Sequence, residues 1–361
     1  MNKLIGAYLE ITEKCNEKCP YCYNYELMRS SHSLPAQIVK NLMQQFKNMG
    51  LPTVTLSGGE PFLHDGIESI LVFAESIGMK VSIISNGTCF SEQSLPILIQ
   101  YAPTIQLTFD GYNAETHDKT RGRGNFDKIT NGYLLAKEHG YIGRIAARVN
   151  IHKDNASFIG KTLDTIDRFF CQDIDNTGLA SVSLAYVRRT HYLESRFSGY
   201  IEPSQYGNQP TIHYEIEKWN QQHSIQIYDI TQKPDLGCPF NGQMEFIDCG
   251  IRVAINGEVY PCQLFSDRQF CIGNVYDENV EQIINGKLME QFLEKIHQRS
   301  EAIPQCKTCA FSGICGRGCP GQAFSANNTL NSTTDRCTER KRALSLSAQA
   351  AYEKIIQQKN A

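Results

Sequence analysis

The sequence predicts an α/β fold in which a partial, TIM-like (β/α)6 barrel, open on one side, precedes a small cysteine-rich domain. Six short β-rich apolar runs alternate with segments of helical periodicity through the first half of the chain. Such alternation is typical of a parallel sheet built from βαβ units. Polar, glycine-bearing motifs follow each of the first four runs. Because the carboxyl ends of parallel strands meet at one edge, we expect these motifs to form one site.

The strands are expected at residues 4–12, 53–57, 80–85, 104–110, 145–152 and 181–187. Helical periodicity covers residues 35–49, 66–77, 91–99, 126–139 and 156–170. These elements form the predicted barrel domain, residues 1–200, and residues 201–236 are expected to connect it to the second domain. Few periodic signals occur between residues 188 and 236, so this stretch is predicted to be irregular.

The second domain is predicted to span residues 237–345 and to contain a β-hairpin. Segments 245–255 and 258–260 flank Asn256-Gly257, which is a strong signal for a hairpin turn. A polar helix is expected over residues 339–358, and residues 346–361 are assigned to the end of this C-terminal helix.

The composition excludes several classes of protein. A chain of 361 residues with a formal net charge of -3 has no general attraction for nucleic acid or anionic lipid. It contains no apolar run long enough to cross a membrane, and its first residues lack the apolar core of a signal peptide. A cytoplasmic protein with neither a nucleic-acid nor a membrane partner is therefore expected.

Fourteen cysteines are the most unusual feature of this composition. In a reducing compartment they are better explained by metal or cluster ligation than by disulfides. Three lie near the N-terminus, nine lie between Cys238 and Cys337, and Cys89 and Cys171 fall between these groups. The distribution indicates two ligating regions separated by an ordinary folded domain.

The first region is the motif C-x3-C-x2-C formed by Cys15, Cys19 and Cys22, with Tyr21 just before the last cysteine. Three thiolates at this spacing can ligate three irons of a [4Fe–4S] cluster and leave the fourth iron free for a small molecule. The alternative is zinc, but structural zinc prefers paired C-x2-C elements that close a tetrahedron. The motif has no obvious fourth ligand nearby and therefore favours the cluster.

The spacing and the tyrosine resemble the signature of the radical SAM superfamily. The resemblance implies that S-adenosylmethionine (SAM) chelates the free iron and that the reduced cluster passes an electron to its sulfonium. It also implies that the resulting 5′-deoxyadenosyl radical abstracts a hydrogen atom from a substrate. The cofactor carries this chemistry, and the protein supplies orientation and shielding. An electron donor such as flavodoxin or ferredoxin is implied as a partner.

The polar strand ends resemble the SAM-binding elements of this family. Gly58-Gly59-Glu60-Pro61 resembles the GGEP element, in which glycines let the backbone approach the ligand and glutamate accepts from its ammonium group. The resemblance also places backbone near Tyr21 against the adenine, and polar groups near the ribose and carboxylate. The remaining implied SAM contacts are Ser85, Asn86, Thr108, Asp110, Arg121 and Val149, with Asn150 beside Val149. The alternatives are a turn or cap for Asp110 and a solvated surface position for Arg121.

The second region contains Cys306-x2-Cys309-x5-Cys315-x3-Cys319, followed by Cys337. Together with the hairpin and Cys262, this pattern resembles the SPASM domain of radical SAM enzymes that modify peptides and proteins. The resemblance implies two auxiliary [4Fe–4S] clusters, and so three clusters in all. Cys306, Cys309, Cys315 and Cys337 would hold the distal auxiliary cluster, and Cys262 and Cys319 would belong to the nearer one.

The sequence leaves open which other cysteines ligate the nearer cluster. The family places a cysteine before the hairpin glycine, but neither Cys238 nor Cys249 has the family's spacing to Gly257. If both bind, the cluster is fully ligated, and if only one binds, an iron stays free to touch the substrate. The count of cysteines favours full ligation and leaves Cys89, Cys171 and Cys271 as small buried hydrophobes. Two zinc ions in place of the auxiliary clusters are the alternative.

The SPASM resemblance implies a peptide or protein substrate but leaves the reaction open. One hypothesis is modification of a ribosomally made peptide by a thioether or carbon–carbon cross-link, or by epimerisation. The alternative is oxidation of a cysteine or serine of a sulfatase to formylglycine. Sulfatase-maturing relatives carry an aspartate base directly after the cysteine that matches Cys262, whereas this chain has Gln263. This difference favours peptide modification.

A non-enzymatic electron-transfer protein is a further hypothesis, but it would need neither the GGEP element nor Arg121. No catalytic acid or base is assigned, because His191, Tyr192 and Glu194 after the sixth strand are interpreted as loop residues. The first strand begins by Leu4, so a leader-peptide recognition domain is not expected before the barrel.

Overall fold

A single sheet runs through the chain. The computed structural model describes residues 1–22, 24, 31–101, 103–141, 144–171, 179–187, 196–202, 205, 209–228, 238, 240, 247–315, 317–334 and 337–359. In these residues the strands are β1 (Lys3–Thr12), β2 (Thr53–Gly58), β3 (Lys80–Ser85), β4 (Thr104–Thr108), β5 (Ile145–Ile151), β6 (Leu179–Tyr186), β7 (Asp248–Val253), β8 (Glu258–Tyr260) and β9 (Gly273–Asn274). The order across the sheet is β6-β5-β4-β3-β2-β1-β7-β8-β9. Strands β1 to β6 are parallel, each beside the next, which confirms the predicted α/β class.

The described residues also form thirteen helices. They are α1 (Ala36–Asn48), α2 (Ile67–Ser76), α3 (Leu95–Tyr101), α4 (Ala114–Arg121), α5 (Asn125–Glu138), α6 (Ile159–Phe170), α7 (Pro210–Gln222), α8 (Val280–Ile284), α9 (Lys287–Ala302), α10 (Pro304–Lys307), α11 (Ser312–Cys315), α12 (Pro320–Asn327) and α13 (Cys337–Lys359). On β1, Leu9 and Ile11 are fully buried in the core that also contains Leu42 of α1. Successive strand residues face opposite sides, and on the other side the Tyr8 hydroxyl donates to Ser57 Oγ at 2.6 Å. The inner face of the barrel is therefore polar.

The cysteine-rich part is joined to the barrel through the sheet itself. Strand β7 pairs with β1 in parallel, with Ala7 opposite Ile251, and β8 returns antiparallel to β7. The turn between β7 and β8 contains Gly257 at a φ of 82°, a value that favours glycine. The predicted hairpin is confirmed, and the sheet is continuous across the predicted domain boundary.

Helices α4 and α7, and also α8 to α12, are absent from the sequence expectations. Helix α4 is polar and has no apolar periodicity, but a capping box begins it, in which the Asn113 side chain accepts from the Thr116 N–H. Helix α7 lies in the stretch predicted to be irregular, so that prediction is wrong for Pro210–Gln222. It buries Ile212, Ile216 and Trp219, whose spacing forms one helix face.

A buried ion pair fixes the contact between β1 and β7. Glu10 and Arg252 are almost completely buried, and Arg252 Nε lies 3.2 Å from Glu10 Oε2 without a directed hydrogen bond. Arg252 also donates to the Phe265 carbonyl at 2.7 Å and lies over the Tyr260 ring. The Asn24 amide donates to Glu10 Oε1 at 3.2 Å. This pair therefore links the loop after Cys22 to the loop after Cys262.

Replacing Arg252 by alanine is expected to destabilise the folded protein strongly. The substitution leaves the Glu10 carboxylate buried without its cation, which typically costs about 3–5 kcal/mol. The thermal unfolding midpoint of the anaerobic holoprotein should fall by several degrees. The matched control is Arg268→Ala, since Arg268 also pairs with a glutamate, Glu258, but is 88% exposed. Exposed pairs contribute about 0–1 kcal/mol, so equal shifts in both variants would contradict this assignment.

Candidate cluster-binding site

The loop after β1 gathers the three cysteines of the C-x3-C-x2-C motif. The Cys22 N–H donates to the Cys19 carbonyl at 3.1 Å, and Cys19 is buried. Burial, together with the neighbouring Cys19 and Cys15, raises the pKa of Cys22 to about 12. The three thiols therefore lie close enough to influence one another, as the ligands of one cluster must.

The Gly58-Gly59 turn packs directly on this cysteine loop. The Gly59 N–H donates to the Thr12 carbonyl at 2.7 Å, and the Glu60 N–H donates to the Lys14 carbonyl at 2.8 Å. A Cβ at Gly58 would lie 2.3 Å from the Thr12 carbonyl oxygen, and one at Gly59 would lie 2.2 Å from that of Lys14. Both positions therefore need glycine so that the turn can contact the cysteine loop. This requirement is not evident from the sequence.

Glu60 holds the end of β3 in place. Its carboxylate is fully buried and accepts from Ser85 Oγ at 3.0 Å and from the Asn86 N–H at 2.7 Å. Burial raises the pKa of Glu60 to about 7, against the lowering effect of the Asn86 and Phe62 N–H donors. Glu60 thus couples the GGEP turn to the third strand end, while Pro61 begins a short 3₁₀ turn.

Asn86 connects the third strand end to the cysteine loop. Its amide donates to Asn16 Oδ1 at 2.7 Å and lies 3.8 Å from Cys15 Sγ. Its side-chain oxygen accepts from the Thr88 N–H at 3.0 Å. Two of the implied SAM contacts, Ser85 and Asn86, are therefore assembled around the cysteine loop by the protein's own hydrogen bonds.

Asp110, at the end of β4, is the centre of a second buried network. It accepts from the Tyr21 hydroxyl, from Thr120 Oγ1 at 3.0 Å and from the Asn150 N–H at 3.2 Å. Burial and Asp110 raise the pKa of Tyr21 well above its usual range. Tyr21 therefore has a polar partner beyond its edge-to-face packing on Phe197.

Arg121 is buried at the last turn of α4 and is not the solvated surface residue of the alternative interpretation. Burial alone would lower the pKa of Arg121, but the neighbouring Cys19, Tyr21 and Asp110 raise it. Its Nε is buried and has no hydrogen-bond partner among the residues that the structure describes. A buried guanidinium with a free N–H near the Cys19 and Cys22 thiols fits a site for an anionic group such as a carboxylate.

The other two implied contacts differ from each other. Thr108 ends β4 and is 7% exposed, whereas Val149 of β5 is fully buried in the core between the sheet and the helices. The neighbouring Asn150 accepts from Arg148 Nε through its side-chain oxygen at 3.0 Å. Asn150, rather than Val149, therefore shares the polar side of β5 with Arg148.

The four cysteines expected to hold the distal auxiliary cluster lie together. Burial, together with Cys337 and Cys315, raises the pKa of Cys306. Positively charged side chains surround this group, and they can offset the negative charge of cluster thiolates. The four cysteines line one pocket together with three positively charged side chains. These residues are Cys306, Cys309, Cys315, Cys337, Arg317, Arg340 and Lys341.

The candidate ligands of the nearer auxiliary cluster come from distant parts of the chain. A hydrogen bond with Cys319, burial and the nearby Cys262 raise the pKa of Cys238. Cys249, in contrast, is fully buried on β7 in the apolar core with Ile251. Burial and Asp248, rather than another cysteine of the described chain, raise its pKa to about 11. Cys238 and Cys262 also pack against the core that contains Cys249, so all four cysteines remain candidate ligands.

Two buried polar residues of the site were not found from the sequence. Asn125 is fully buried, donates to the Asn86 carbonyl at 2.8 Å and contacts His117 Nε2 at 2.9 Å. Arg299 is 2% exposed, and Cys319, Cys306 and Cys238 all act on its pKa, which burial lowers. Neither residue belongs to a motif, and a lone polar residue in a helical segment gives no signal of burial.

His191, Tyr192 and Glu194 lie outside the described residues. In the part of the chain that is described, no helix combines the length and the apolar character needed to cross a membrane.

Comparisons with known proteins agree with this geometry. Residues 9–166 match the model of the Radical SAM superfamily, and residues 246–310 match SPASM, an iron–sulfur cluster-binding domain. AlbA, the antilisterial bacteriocin subtilosin biosynthesis protein of Bacillus subtilis, is 26% identical over 331 residues, which cover 90% of this chain and 68% of AlbA. The serine-type anaerobic sulfatase-maturating enzyme of Bacteroides thetaiotaomicron is 24% identical over 367 residues, covering 90% of this chain and 83% of that enzyme.

Solved structures share the fold. The crystal structure of Streptococcus suis SuiB bound to S-adenosylmethionine has a TM-score of 0.72 at 16% identity and covers 92% of this chain and 76% of SuiB. SuiB bound to its precursor peptide SuiA has a TM-score of 0.71, also at 16% identity, and covers 94% of this chain and 76% of SuiB.

Proposed function

We propose that this chain, which carries a radical SAM domain followed by an SPASM domain, cleaves SAM reductively and uses the resulting radical to modify a peptide. The observation that carries the proposal is the convergence of four motifs at one edge of the sheet. The cysteine loop, the Gly58-Gly59 turn, the end of β3 and the Asp110–Arg121 network are linked by hydrogen bonds and charge contacts. A protein that only transfers electrons would not need these motifs to be connected.

The chain's own residues have distinct tasks in this proposal. Cys15, Cys19 and Cys22 hold the first cluster, and the buried charge of Arg121 receives the carboxylate of SAM. When bound, the cluster and SAM supply reductive cleavage of a sulfonium bond and a hydrogen-abstracting radical. The polar inner face of the barrel, with Tyr8 and Ser57, orients the substrate.

Two further clusters are part of the proposal. The distal set, Cys306, Cys309, Cys315 and Cys337, would hold one of them, and Cys238, Cys249, Cys262 and Cys319 would hold the other. Three [4Fe–4S] clusters would then be present in all, reduced by a flavodoxin or a ferredoxin.

A peptide substrate is supported by two relatives. AlbA acts in the biosynthesis of a bacteriocin, and SuiB has been solved with its precursor peptide. We assign cross-linking, through a thioether or a carbon–carbon bond, or epimerisation as the class of modification. Formylglycine formation is the second candidate, because a sulfatase-maturating enzyme is also similar to this chain. The absence of an aspartate at exposed Gln263 argues against it.

Mass spectrometry distinguishes the two candidates. The reduced enzyme would be incubated anaerobically with SAM and either a short peptide encoded beside its gene or a peptide spanning the active-site cysteine or serine of a sulfatase. Each cross-link removes two hydrogen atoms, and epimerisation, which leaves the mass unchanged, is detected by chiral analysis of the hydrolysed peptide. An aldehyde in the sulfatase peptide, trapped by a hydrazide, together with an unmodified short peptide would overturn the choice.

Replacing Arg121 by glutamine is expected to raise the KM for SAM roughly 10- to 150-fold. Hydrogen bonds to charged groups contribute about 1.5–3 kcal/mol, which corresponds to this range of affinity. The measurement is the rate of 5′-deoxyadenosine formation as a function of SAM concentration. Arg123→Gln is the matched control, since Arg123 is exposed two residues further along. A lower kcat with unchanged KM would instead show that Arg121 only supports Asp110.

A further inference from the structure

Three different metal-binding side chains meet on the outer layer of the barrel, apart from the cysteine clusters. Asp167 lies on α6, Cys171 caps its C-terminus, and His223 caps the C-terminus of α7. One ligand atom of each lies within 4.8 Å of the others. Asp167 and Cys171 are four residues apart and so share one helix face. From the sequence, Cys171 is expected to be a small buried hydrophobe, but it is only partly buried.

The imidazole of His223 is held in a fixed orientation. Its ring stacks on Trp219 at 3.8 Å with an interplanar angle of 13°, and Trp219 is itself anchored by a bond to the Ile225 carbonyl at 2.7 Å. Nδ1 lies 3.1 Å from the Trp219 carbonyl. A ring nitrogen facing a backbone carbonyl carries the proton, which directs the other nitrogen towards a metal.

The second ring nitrogen faces another acceptor. Nε2 lies 2.9 Å from Asp167 Oδ1, so both nitrogens point at oxygen atoms. A cation between Nε2 and the carboxylate would therefore be bound by both groups. The Cys171 thiol is also hydrogen-bonded to Asp167, which places a third ligand at the same point.

The surrounding backbone favours a cation here. Cys171 and His223 both sit at helix C-termini, where their N–H groups donate to the Asp167 and Trp219 carbonyls at 2.9 Å. The negative ends of two helix dipoles therefore converge on the three side chains. A bound cation would stabilise both termini together.

We propose that Asp167, Cys171 and His223 form a zinc site that clamps α7 onto α6. One thiolate, one imidazole and one carboxylate are the donors that zinc accepts, and the fourth position is left to water. Calcium and magnesium prefer oxygen ligands alone. Binding replaces the Cys171 thiol proton, which is released to solvent, by a Zn–S bond. The Nε2–Oδ1 distance would widen to about 3.4 Å for tetrahedral bonds of the usual length.

Zinc content and zinc coordination of the anaerobic holoprotein test this site. We expect one zinc per chain after equilibration with zinc chloride and gel filtration. X-ray absorption at the zinc K-edge should show one sulfur at about 2.3 Å and lighter ligands at about 2.0–2.2 Å. Cys171→Ser and His223→Gln should each weaken the apparent Kd for zinc at least about a hundredfold while leaving the iron content unchanged.

Matched variants separate this site from the cluster cysteines. Cys271→Ser changes a partly buried thiol that donates to the Gly273 carbonyl, and His139→Gln changes an exposed histidine at a helix end. Both should keep the zinc. Zinc should also raise the thermal midpoint of the wild type but not that of Cys171→Ser. Zinc retained in both site variants, sulfur-only coordination, or no zinc uptake by the wild type would each overturn the proposal.

Discussion

Replacing Cys19 by alanine is expected to remove the iron of one cluster and to reduce 5′-deoxyadenosine formation to the level of a sample without enzyme. Cys19 is the most buried of the three thiols in its loop. Its loss leaves two ligands for a cluster that needs three. Iron analysis of the anaerobic protein and chromatography of the reaction products measure the two effects.

The auxiliary cysteines should be unaffected by this change, because they lie in other parts of the chain. Cys271→Ala is the control, since its thiol bonds only to the Gly273 carbonyl within the described residues. The Cys271→Ala variant should retain both its iron content and its formation of 5′-deoxyadenosine. If Cys19→Ala retains full 5′-deoxyadenosine formation, the assignment of this loop fails.

Replacing Gly59 by alanine is expected to lower the rate of SAM cleavage at least about a hundredfold. The new Cβ would lie 2.2 Å from the Lys14 carbonyl oxygen and 2.7 Å from its carbon, and backbone cannot rotate away as a side chain can. The GGEP turn must then separate from the cysteine loop. Displacements of about 1 Å cost rates of this order, and the overpacking itself costs about 1–3 kcal/mol.

Gly313→Ala provides the matched control for this prediction. Gly313, like Gly59, does not have a left-handed φ, but a Cβ there would meet nothing within 4 Å. Its rate of 5′-deoxyadenosine formation and its thermal midpoint should equal those of the wild type. Similar losses in the two variants would indicate a general effect of removing glycine rather than contact with the cysteine loop.

The strands whose residues form a clear local pattern were predictable from the sequence. Strands β1 to β3 are long apolar runs bounded by glycine, proline or polar residues, and each lies within one residue of its predicted bounds. The pairing of β7 with β1 was not predictable, because the two strands are separated by most of the chain. Local periodicity contains no information about such a partner.

Some parts of the candidate site were likewise predictable from the sequence, and others were not. Cysteine spacing and the GGEP run identify the elements, because each is contiguous in sequence. The contact of Cys238 with Cys319 joins distant parts of the chain, and no local pattern contains it. The meeting of Asp167 and Cys171 with His223 depends on α7, which was not predicted.

The buried pair Glu10–Arg252 fixes the position of β1 relative to β7 in this shared sheet. Because β1 carries the cysteine loop and β7 leads to Cys262, a shift between these strands would move one cluster region relative to the other. The ion pair and the bond from Arg252 to the Phe265 carbonyl oppose such a shift.

The most direct measurement of the central claim is quantitation of 5′-deoxyadenosine after anaerobic incubation of the reduced wild-type protein with SAM. We expect product that depends on enzyme, SAM and reductant together, and none from a variant with alanine at Cys15, Cys19 and Cys22. Iron-replete wild-type protein that binds SAM but yields no 5′-deoxyadenosine, with or without peptide, would contradict the proposed function.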